Sequence, residues 1–279
     1  MVAQKRKGTV STVSFVFKQF LTGLLLVLFL FIAAASGYKA WQTFEVYREG
    51  DESYGNLADI VQSSLPPKSS VSPQSPTVMP DVEIPYRDMD VEIPYRGIDF
   101  ATLQAINSDA VAWLYCPDTV IDYPIMQATD YDYYLDRLPD GTKNANGSLF
   151  LDYSHPSDFS GRLTIIYGHN MKSGQMFGSL GEYKKQAHFE RYPYLYLYTE
   201  NVNYRIELIY GCVVGAGTWQ EQAFTSEDNT DKLLAYAADN TTFTSNVEHA
   251  PSDQVIVLST CSYEFDDARY VVVGVLRPE

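Results

Sequence analysis

The sequence is poor in cysteine, histidine and basic residues. Its 279 residues include three cysteines and four histidines, and 20 Lys and Arg residues stand against 35 Asp and Glu residues, for a net charge of −15. A chain with so few basic residues has no positive stripe to contact phosphates, so we expect no nucleic-acid partner. Because the number of cysteines is odd, at least one thiol lies outside any internal disulfide.

The cysteines occur in two kinds of surroundings. Cys116 and Cys212 each end an apolar, tyrosine-containing run, "AWLYC" and "ELIYGC", which favours buried thiols that pack as small hydrophobic side chains. A Cys116–Cys212 disulfide is the alternative that the sequence leaves open. Cys261 instead ends the β-branched run "VIVLSTC" before a polar loop. Packing alone does not explain a cysteine at that position.

One long hydrophobic run lies near the N-terminus. From Phe20 to Gly37 the sequence "FLTGLLLVLFLFIAAASG" carries no charge, and its length approaches the roughly 20 residues that span a bilayer core. Basic residues precede it and acidic residues follow it, which places the N-terminus in the cytoplasm. We therefore predict a cytoplasmic tail over 1–12, a transmembrane anchor over 13–37 and an extracellular remainder. A signal peptide cleaved near "IAAASG" is the alternative.

The next segment, 38–97, is predicted to form an extracellular stalk. Its first part has a helix-compatible composition, and "SSLPPKSSVSPQSPTVMP" at 63–80 is a proline- and serine-rich linker that cannot build a core. The sequence "DVEIPYR" then occurs twice, at 81–87 and 90–96. Two short copies are too few for a solenoid, so we interpret them as duplicated stalk, with a docking segment as the alternative.

The folded part is predicted to span 98–279. A helix comes first, because Phe100, Leu103 and Ile106 follow a possible Asp99 cap at three-residue spacing. Short β-branched or aromatic runs then alternate with turn signals. The predicted strands are Ala110–Cys116, Ser148–Tyr153, Leu163–Tyr167, Tyr194–Tyr198, Tyr204–Val214, Gln254–Thr260 and Tyr270–Leu276. The predicted helices are Tyr131–Arg137, Gln175–Lys184 and Asp228–Asp239. The fold class is therefore mainly β with added helices, as in a closed or nearly closed β-barrel.

Three polar residues at predicted strand ends indicate chemistry. Cys261 ends one strand, Arg269 begins the next, and His169 follows the run "LTIIYG". A thiol, an imidazole and a guanidinium supply a nucleophile, a proton carrier and a charge for a developing oxyanion, the set that acyl transfer requires. The remaining histidines lie in polar sequence and are predicted to be surface residues: His155, His188 and His249. No second ligand stands at metal-binding spacing beside His169, so we expect no metal and no cofactor.

With these residues in place, the sequence resembles the sortases, and specifically class B. The resemblance rests on "LSTC" at 258–261, Arg269 in "ARYVVVGVL" and "IIYGHNM" at 165–171. It extends to "WLYCPDTVIDYPIMQATDYDYYL" at 113–135, "GSLFLDY" at 147–153 and "MFGSL" at 176–180. The order and spacing of these short motifs make the match specific over 98–279.

The resemblance implies a fold, a reaction and a location. The fold is a sortase-type β-barrel with an N-terminal helical extension and a helix inserted before the cysteine-bearing strand, where Asp228–Asp239 is predicted. The enzyme would be a cysteine transpeptidase in the cell membrane of a Gram-positive cell, single-pass, with its catalytic domain (98–279) outside. Its substrates would be surface proteins or pilins with a C-terminal sorting signal. The acceptor would be an amine of a peptidoglycan precursor or of a pilin lysine.

The resemblance also implies residue roles. Cys261 would be the nucleophile that carries the acyl group as a thioester, and His169 the general acid and base. Arg269 would order the substrate and stabilise the oxyanion, together with the backbone N–H of Ser262. The remaining groove residues that it implies are Leu135, Tyr167, Ser259 and Thr260.

Two positions depart from the class B pattern. Tyr131 stands where class B members commonly have asparagine, so a polar contact to the sorting signal is lost or replaced. Tyr263 occupies a position that is often acidic, two residues after the cysteine. Both departures affect which signal is recognised rather than the chemistry.

Two other functions compete with this interpretation. A papain-like cysteine peptidase or cell-wall hydrolase would need its histidine after the cysteine, whereas His169 precedes Cys261. A non-enzymatic surface β-domain would have an unreactive Cys261.

Overall fold

The computed structural model describes residues 8–63 and 97–279. The chain divides between Glu49 and Gly50 into two compact units. In the first unit the described residues belong to helix α1, which runs from Gly8 to Ser63. From Phe17 onward this helix has the length and composition of a membrane span, with a mean hydropathy of 2.4 in its most apolar window. Most of the linker and both "DVEIPYR" copies lie outside the described residues.

The second unit is built on a closed β-barrel of eight strands. Around the barrel the strands follow the order β1-β2-β3-β4-β7-β8-β6-β5. The pairs β2–β3 and β4–β7 are parallel, and all other neighbours are antiparallel. The strands are β1 (Ala110–Tyr115), β2 (Asp122–Met126), β3 (Leu149–Leu151), β4 (Leu163–Tyr167), β5 (Tyr194–Tyr198), β6 (Asn203–Gly215), β7 (Val255–Cys261) and β8 (Ala268–Pro278). The predicted barrel is confirmed, and the seven predicted strands are among these eight.

The second unit also contains short helices, before and between the barrel strands. They are α2 (Phe100–Ile106), α3 (Gln186–Arg191), α4 (Ala216–Glu221) and α5 (Thr230–Asp239), with 3₁₀ turns at Tyr133–Leu135, Gly178–Lys184 and Glu227–Asn229. The Asp99 side chain accepts a hydrogen bond from the Thr102 backbone N–H, which confirms the predicted cap of α2. Helix α5 precedes β7, as the resemblance implies.

Several local elements differ from those predicted from the sequence. Strand β2 was missed because Pro124 interrupts its apolar run; β2 pairs with β3 only at Ile125 and Met126, so the proline lies where one neighbour is absent. The predicted helix over 131–137 shrinks to one 3₁₀ turn. There the Asp130 carboxylate accepts hydrogen bonds from the Asp132 and Tyr133 backbone N–H groups, which competes with helix formation.

One face of three neighbouring strands leads from the core to the site. Alternate residues of β4, β7 and β8, such as Ile165, Val257 and Val271, form a buried cluster with Trp219 of α4 and Leu233 of α5. Side chains two residues apart share a face of a strand. The next positions along that face are therefore Tyr167, Ser259 and Arg269, and beyond Ser259 comes Cys261. Apolar burial fixes the register, and the register places these polar side chains along one line that ends at the exposed Cys261.

The end of α1 is part of the second unit's core. Leu57 and Val61 belong to a buried cluster with Phe100 and Leu103 of α2 and with the barrel residue Trp113. Burial of an apolar side chain of this size contributes roughly 1.5–3 kcal/mol. Residues 50–63 are therefore folded onto the domain, whereas the sequence analysis assigned them to a stalk.

Candidate active site

Cys261 and Arg269 lie directly opposite each other. Strand β7 ends at Cys261, β8 begins at Ala268, and the antiparallel register pairs Cys261 with Arg269. Directly opposed residues have Cβ atoms about 4.5–5.5 Å apart and side chains on the same face. The hairpin therefore presents a thiol and a guanidinium side by side.

His169 reaches the same place from the neighbouring strand. Strands β4 and β7 are parallel, with Tyr167 paired to Ser259, and the Gly168 N–H donates to the Ser259 carbonyl at 3.2 Å. Two residues further along each strand come His169 and Cys261. The structure thus brings His169 to Cys261 and Arg269, which lie far from it in the sequence.

A groove of about 650 Å³ surrounds these side chains. It runs along the exposed ends of β4, β7 and β8 and is closed on one side by α4. Every side chain that the sequence analysis assigned to catalysis or substrate binding lines it: Leu135, Tyr167, His169, Ser259, Thr260, Cys261 and Arg269. Additional lining comes from residues that the sequence analysis did not place there: Asp132, Phe150, Trp219, Gln220, Ala223 and Thr225.

The imidazole of His169 is oriented by a backbone carbonyl. Its Nε2 lies 2.6 Å from the carbonyl oxygen of Leu135. A carbonyl can only accept, so Nε2 is the donor, and Nδ1 is the nitrogen that can exchange a proton in the groove. Leu135 therefore contributes its backbone to the site as well as its side chain.

Two hydrogen bonds join the end of β7 to the turn after β4. Asn170 donates from Nδ2 to the carbonyl of Cys261 at 2.7 Å, and Thr260 Oγ1 donates to the carbonyl of Gly168 at 2.7 Å. These bonds hold the backbone of the cysteine against the backbone of the histidine segment. The sequence analysis missed the role of Asn170, although it directly follows His169.

Arg269 is available to a ligand. The sequence allows a surface ion pair with Asp266 or Asp267, but both carboxylates point into solvent in the β7–β8 loop. Throughout the described residues no hydrogen bond or ion pair to the half-buried Arg269 side chain is found. Its guanidinium lines the groove with all its donors unused.

Ser262 does not fit the role that the resemblance implied. Its backbone N–H donates to the carbonyl of Ala268 at 2.7 Å, closing the β7–β8 loop, so it is not a free donor for an oxyanion. Its hydroxyl bonds instead to Glu264, which forms an ion pair with Lys184. Hydrogen bonds from Lys184 and Ser262 outweigh partial burial and lower the pKa of Glu264. The acidic residue near the cysteine is thus Glu264, three positions on.

A buried carboxylate supports one wall of the groove. Asp152 is 0% exposed and accepts hydrogen bonds from the hydroxyls of Tyr131 at 3.0 Å and Tyr167 at 3.1 Å. Burial, and next the charge of Asp152, raises the pKa of both tyrosines, so both hydroxyls stay protonated as donors. At the position where the resemblance implies asparagine, Tyr131 therefore presents a phenol whose one hydroxyl proton is already donated to Asp152.

Three histidines lie away from the groove. His155 was predicted at the surface, which is wrong: it is buried, with Nδ1 at 2.5 Å from the Leu163 carbonyl, because the turn after β3 folds back against β4. His188 and His249 are half-buried and contact tyrosine rings.

The other two cysteines are free thiols in the core. Cys116 and Cys212 are 1% and 0% exposed, whereas Cys261 is exposed. Burial raises the pKa of Cys116 to about 11 and that of Cys212 to about 12. Since the thiolate is the reactive form, both are inert at neutral pH.

Alkylation therefore tests the site directly. Iodoacetamide at pH 7.5 should add one group to the native protein, on Cys261, and three after denaturation in urea. Intact mass spectrometry measures both numbers, and the Cys261→Ala variant should remain unlabelled when folded. Two native adducts, or one on Cys212, would contradict the burial described here.

Known proteins resemble this chain in sequence and in structure. A family model described as "Sortase domain" matches residues 114–277. Sortase B of Listeria monocytogenes is 36% identical over 179 residues, covering 62% of this chain and 72% of the relative. A crystal structure of sortase B from Clostridium perfringens superposes with a TM-score of 0.59 at 27% identity, over 64% of this chain and 100% of that one. The crystal structure of sortase B from Bacillus anthracis superposes with a TM-score of 0.63 at 28% identity, over 85% of this chain and 100% of that one.

Proposed function

Because this chain belongs to the sortase family and to its class B, we propose that Cys261, His169 and Arg269 carry its reaction. Members of the family are cysteine transpeptidases that act in surface-protein processing, and this chain is such an enzyme. The observation that supports the residue assignment is the meeting of three strand ends at one groove, with the thiol exposed and the guanidinium unpaired. Family membership excludes the two alternative functions, a papain-like cysteine peptidase or cell-wall hydrolase and a non-enzymatic surface β-domain.

The first half-reaction is acyl transfer to the thiol. The thiol of Cys261 gives its proton to His169, and its sulfur attacks the scissile carbonyl carbon; a sulfur–carbon bond forms, and the carbon–nitrogen bond breaks. His169, as imidazolium, gives its proton to the leaving nitrogen. The product is a thioester on Cys261, and the C-terminal peptide leaves as an amine.

The second half-reaction reverses the proton transfer. An incoming amine attacks the thioester carbon, the sulfur–carbon bond breaks, and His169 takes the proton of the attacking nitrogen. In both halves Arg269 hydrogen-bonds the oxygen that carries the developing negative charge. The Ser262 N–H does not join it, because that group already donates to the Ala268 carbonyl.

The proposed substrates are surface proteins or pilins with a C-terminal sorting signal. We propose that the signal lies along β4 and β7, between Leu135, Tyr167, Ser259 and Thr260. The acceptor is an amine on a peptidoglycan precursor or a pilin lysine. No feature of the groove favours one over the other.

The N-terminal region is proposed to tether the enzyme. The catalytic domain at 98–279 would stand outside the cell, with the anchor at 13–37, the tail at 1–12 in the cytoplasm and the connection at 38–97. Sortases are membrane-associated. Tethering an enzyme where its substrate and acceptor also reside raises their encounter rate without new contacts.

Acylation of the full-length protein tests the proposal. The detergent-solubilised chain is mixed with a panel of sorting-signal peptides, with and without an amine, and its intact mass is recorded. We expect an acyl adduct on Cys261 that the amine discharges. It should be absent in Cys261→Ala and His169→Ala and present in the control His249→Ala, whose imidazole lies outside the groove. Peptide cleavage by Cys261→Ala at the wild-type rate would contradict the assignment.

A further inference from the structure

We propose that Tyr54, at the end of α1, is a positioning residue for His169. This inference rests on the proposed function of His169 and extends it to a part of the chain outside the barrel. Two segments flank the imidazole, one beneath it and one after it. Both are held by the same tyrosine.

The hydroxyl of Tyr54 holds the segment before β3. Tyr54 is 6% exposed, and its hydroxyl donates to the carbonyl of Gly147 and lies 3.2 Å from Ser148 Oγ. One turn earlier in the helix, Asp51 accepts a hydrogen bond from Asn146 Nδ2 at 3.2 Å. The end of α1 thus binds three consecutive residues of this segment through polar contacts.

Gly147 lies directly beneath the histidine. It has a φ of +60°, and a Cβ built on it would be 3.0 Å from Cδ2 of His169 and 2.6 Å from the carbonyl oxygen of Leu135. That carbonyl is the one that accepts the hydrogen bond from His169 Nε2. A shift of the Gly147 backbone would therefore move the surface on which the imidazole rests, together with the group that orients it.

The ring of Tyr54 supports the other flank. It packs edge-on against Tyr123 with ring centroids 5.1 Å apart. The Tyr123 hydroxyl donates to Gln175 Oε1 at 2.6 Å and lies 3.3 Å from the backbone nitrogen of Met176, which can donate to it. Immediately after these residues, the N–H of Phe177 donates to the carbonyl of His169 at 3.0 Å. The turn that follows His169 is thereby braced from the same side chain.

The end of α1 thereby influences the position of the catalytic imidazole. His169 sits in a turn between β4 and a 3₁₀ segment, so its backbone is not fixed by a long ladder of hydrogen bonds. Tertiary contacts must fix it instead. Displacement of a reacting group by about 1 Å can lower a rate by roughly 100-fold, and Tyr54 is placed to prevent such a displacement.

The test compares two hydroxyl deletions in the full-length protein. Tyr54→Phe keeps the ring on Tyr123 and removes the bond to Gly147. Tyr204→Phe is the matched control: Tyr204 is also buried, but it is the second residue of β6, at the opposite end of that strand from the residue paired with Arg269. Thioester formation with a signal peptide is followed over pH 5–9, and Tm is recorded for each protein.

We expect Tyr54→Phe to lower kcat by about tenfold with little change in KM, and to shift the pH dependence of kcat. Tyr204→Phe should leave both unchanged. A third variant, Leu57→Ala, loosens the packing of α1 without removing the hydroxyl, and should lower Tm while retaining the wild-type pH profile.

Two results would overturn the inference. The first is a Tyr54→Phe enzyme with the wild-type kcat and pH profile. The second is a lower Tm in Tyr54→Phe accompanied by an unchanged rate per folded molecule. A wild-type protein that forms no thioester would instead refute the proposed function itself, provided that iodoacetamide adds a single group, on Cys261, which shows that the sample is folded and its thiol accessible.

Discussion

Arg269→Lys should slow thioester formation by 100-fold or more, almost as much as Arg269→Ala. Removing one donor from an oxyanion site typically costs about 3 kcal/mol of transition-state stabilisation. Lysine keeps the charge, but its ammonium cannot reproduce the planar, forked donor set of a guanidinium. Because the ladder pairs Arg269 with Cys261, the shorter and differently shaped donor group cannot be moved closer by a backbone shift without breaking β8.

Single-turnover kinetics with a signal peptide measure this effect. Arg277→Lys is the matched control, since Arg277 lies on the same strand at the far end, in ion pairs with Glu207 and Asp253. It should acylate at the wild-type rate. If Arg269→Lys retains more than a tenth of the wild-type rate, the charge alone suffices and the forked geometry is irrelevant.

Asp152→Asn should destabilise the protein by about 3 kcal/mol and weaken the groove wall. The buried carboxylate accepts from Tyr131 and Tyr167 at one oxygen and from the N–H and hydroxyl of Ser154 at the other. An asparagine offers one acceptor oxygen and an NH₂ group that cannot accept. At least two of the present hydrogen bonds would therefore be lost.

Urea unfolding at pH 7 measures the loss of stability. The acylation rate measures whether the weakened groove wall affects the reaction. Tyr131→Phe provides a graded variant, because it removes one of the hydrogen bonds and should cost about 1 kcal/mol. The control Asp158→Asn changes an exposed carboxylate and should leave the urea midpoint unchanged. An unaltered midpoint in Asp152→Asn would mean that the tyrosine hydroxyls find other partners.

Most of the strands were predictable from short-range patterns in the sequence. β4 and β5 were predicted with their observed limits, whereas the predicted limits of β7 differ by one residue at each end and those of β8 by two at each end. Their β-branched runs are long enough to be recognised without tertiary context. Short helices were less predictable: α3 and α4, six residues each, carry no pattern long enough to be distinguished from turns.

The individual contacts within the site were less predictable from the sequence. Nothing in the local sequence indicates that Asp152 is buried beneath two tyrosines, or that the Leu135 carbonyl orients His169. The same holds for His155, whose polar neighbours suggested a surface position. Each of these depends on a partner at long sequence distance, and hydropathy pattern does not identify partners.

By itself, the sequence determined the class of fold, the family and the residues proposed to react. These follow from the alternation of apolar and polar residues, which determines which face of each strand is buried, and from motifs a few residues long. Only the tertiary structure decided that the Ser262 N–H is occupied, that Glu264 pairs with Lys184, and that the end of α1 binds the segment beneath His169. The physical reason is that hydrogen bonds and close packing between distant segments depend on distances of a few ångströms. Such distances exist only after the barrel has closed.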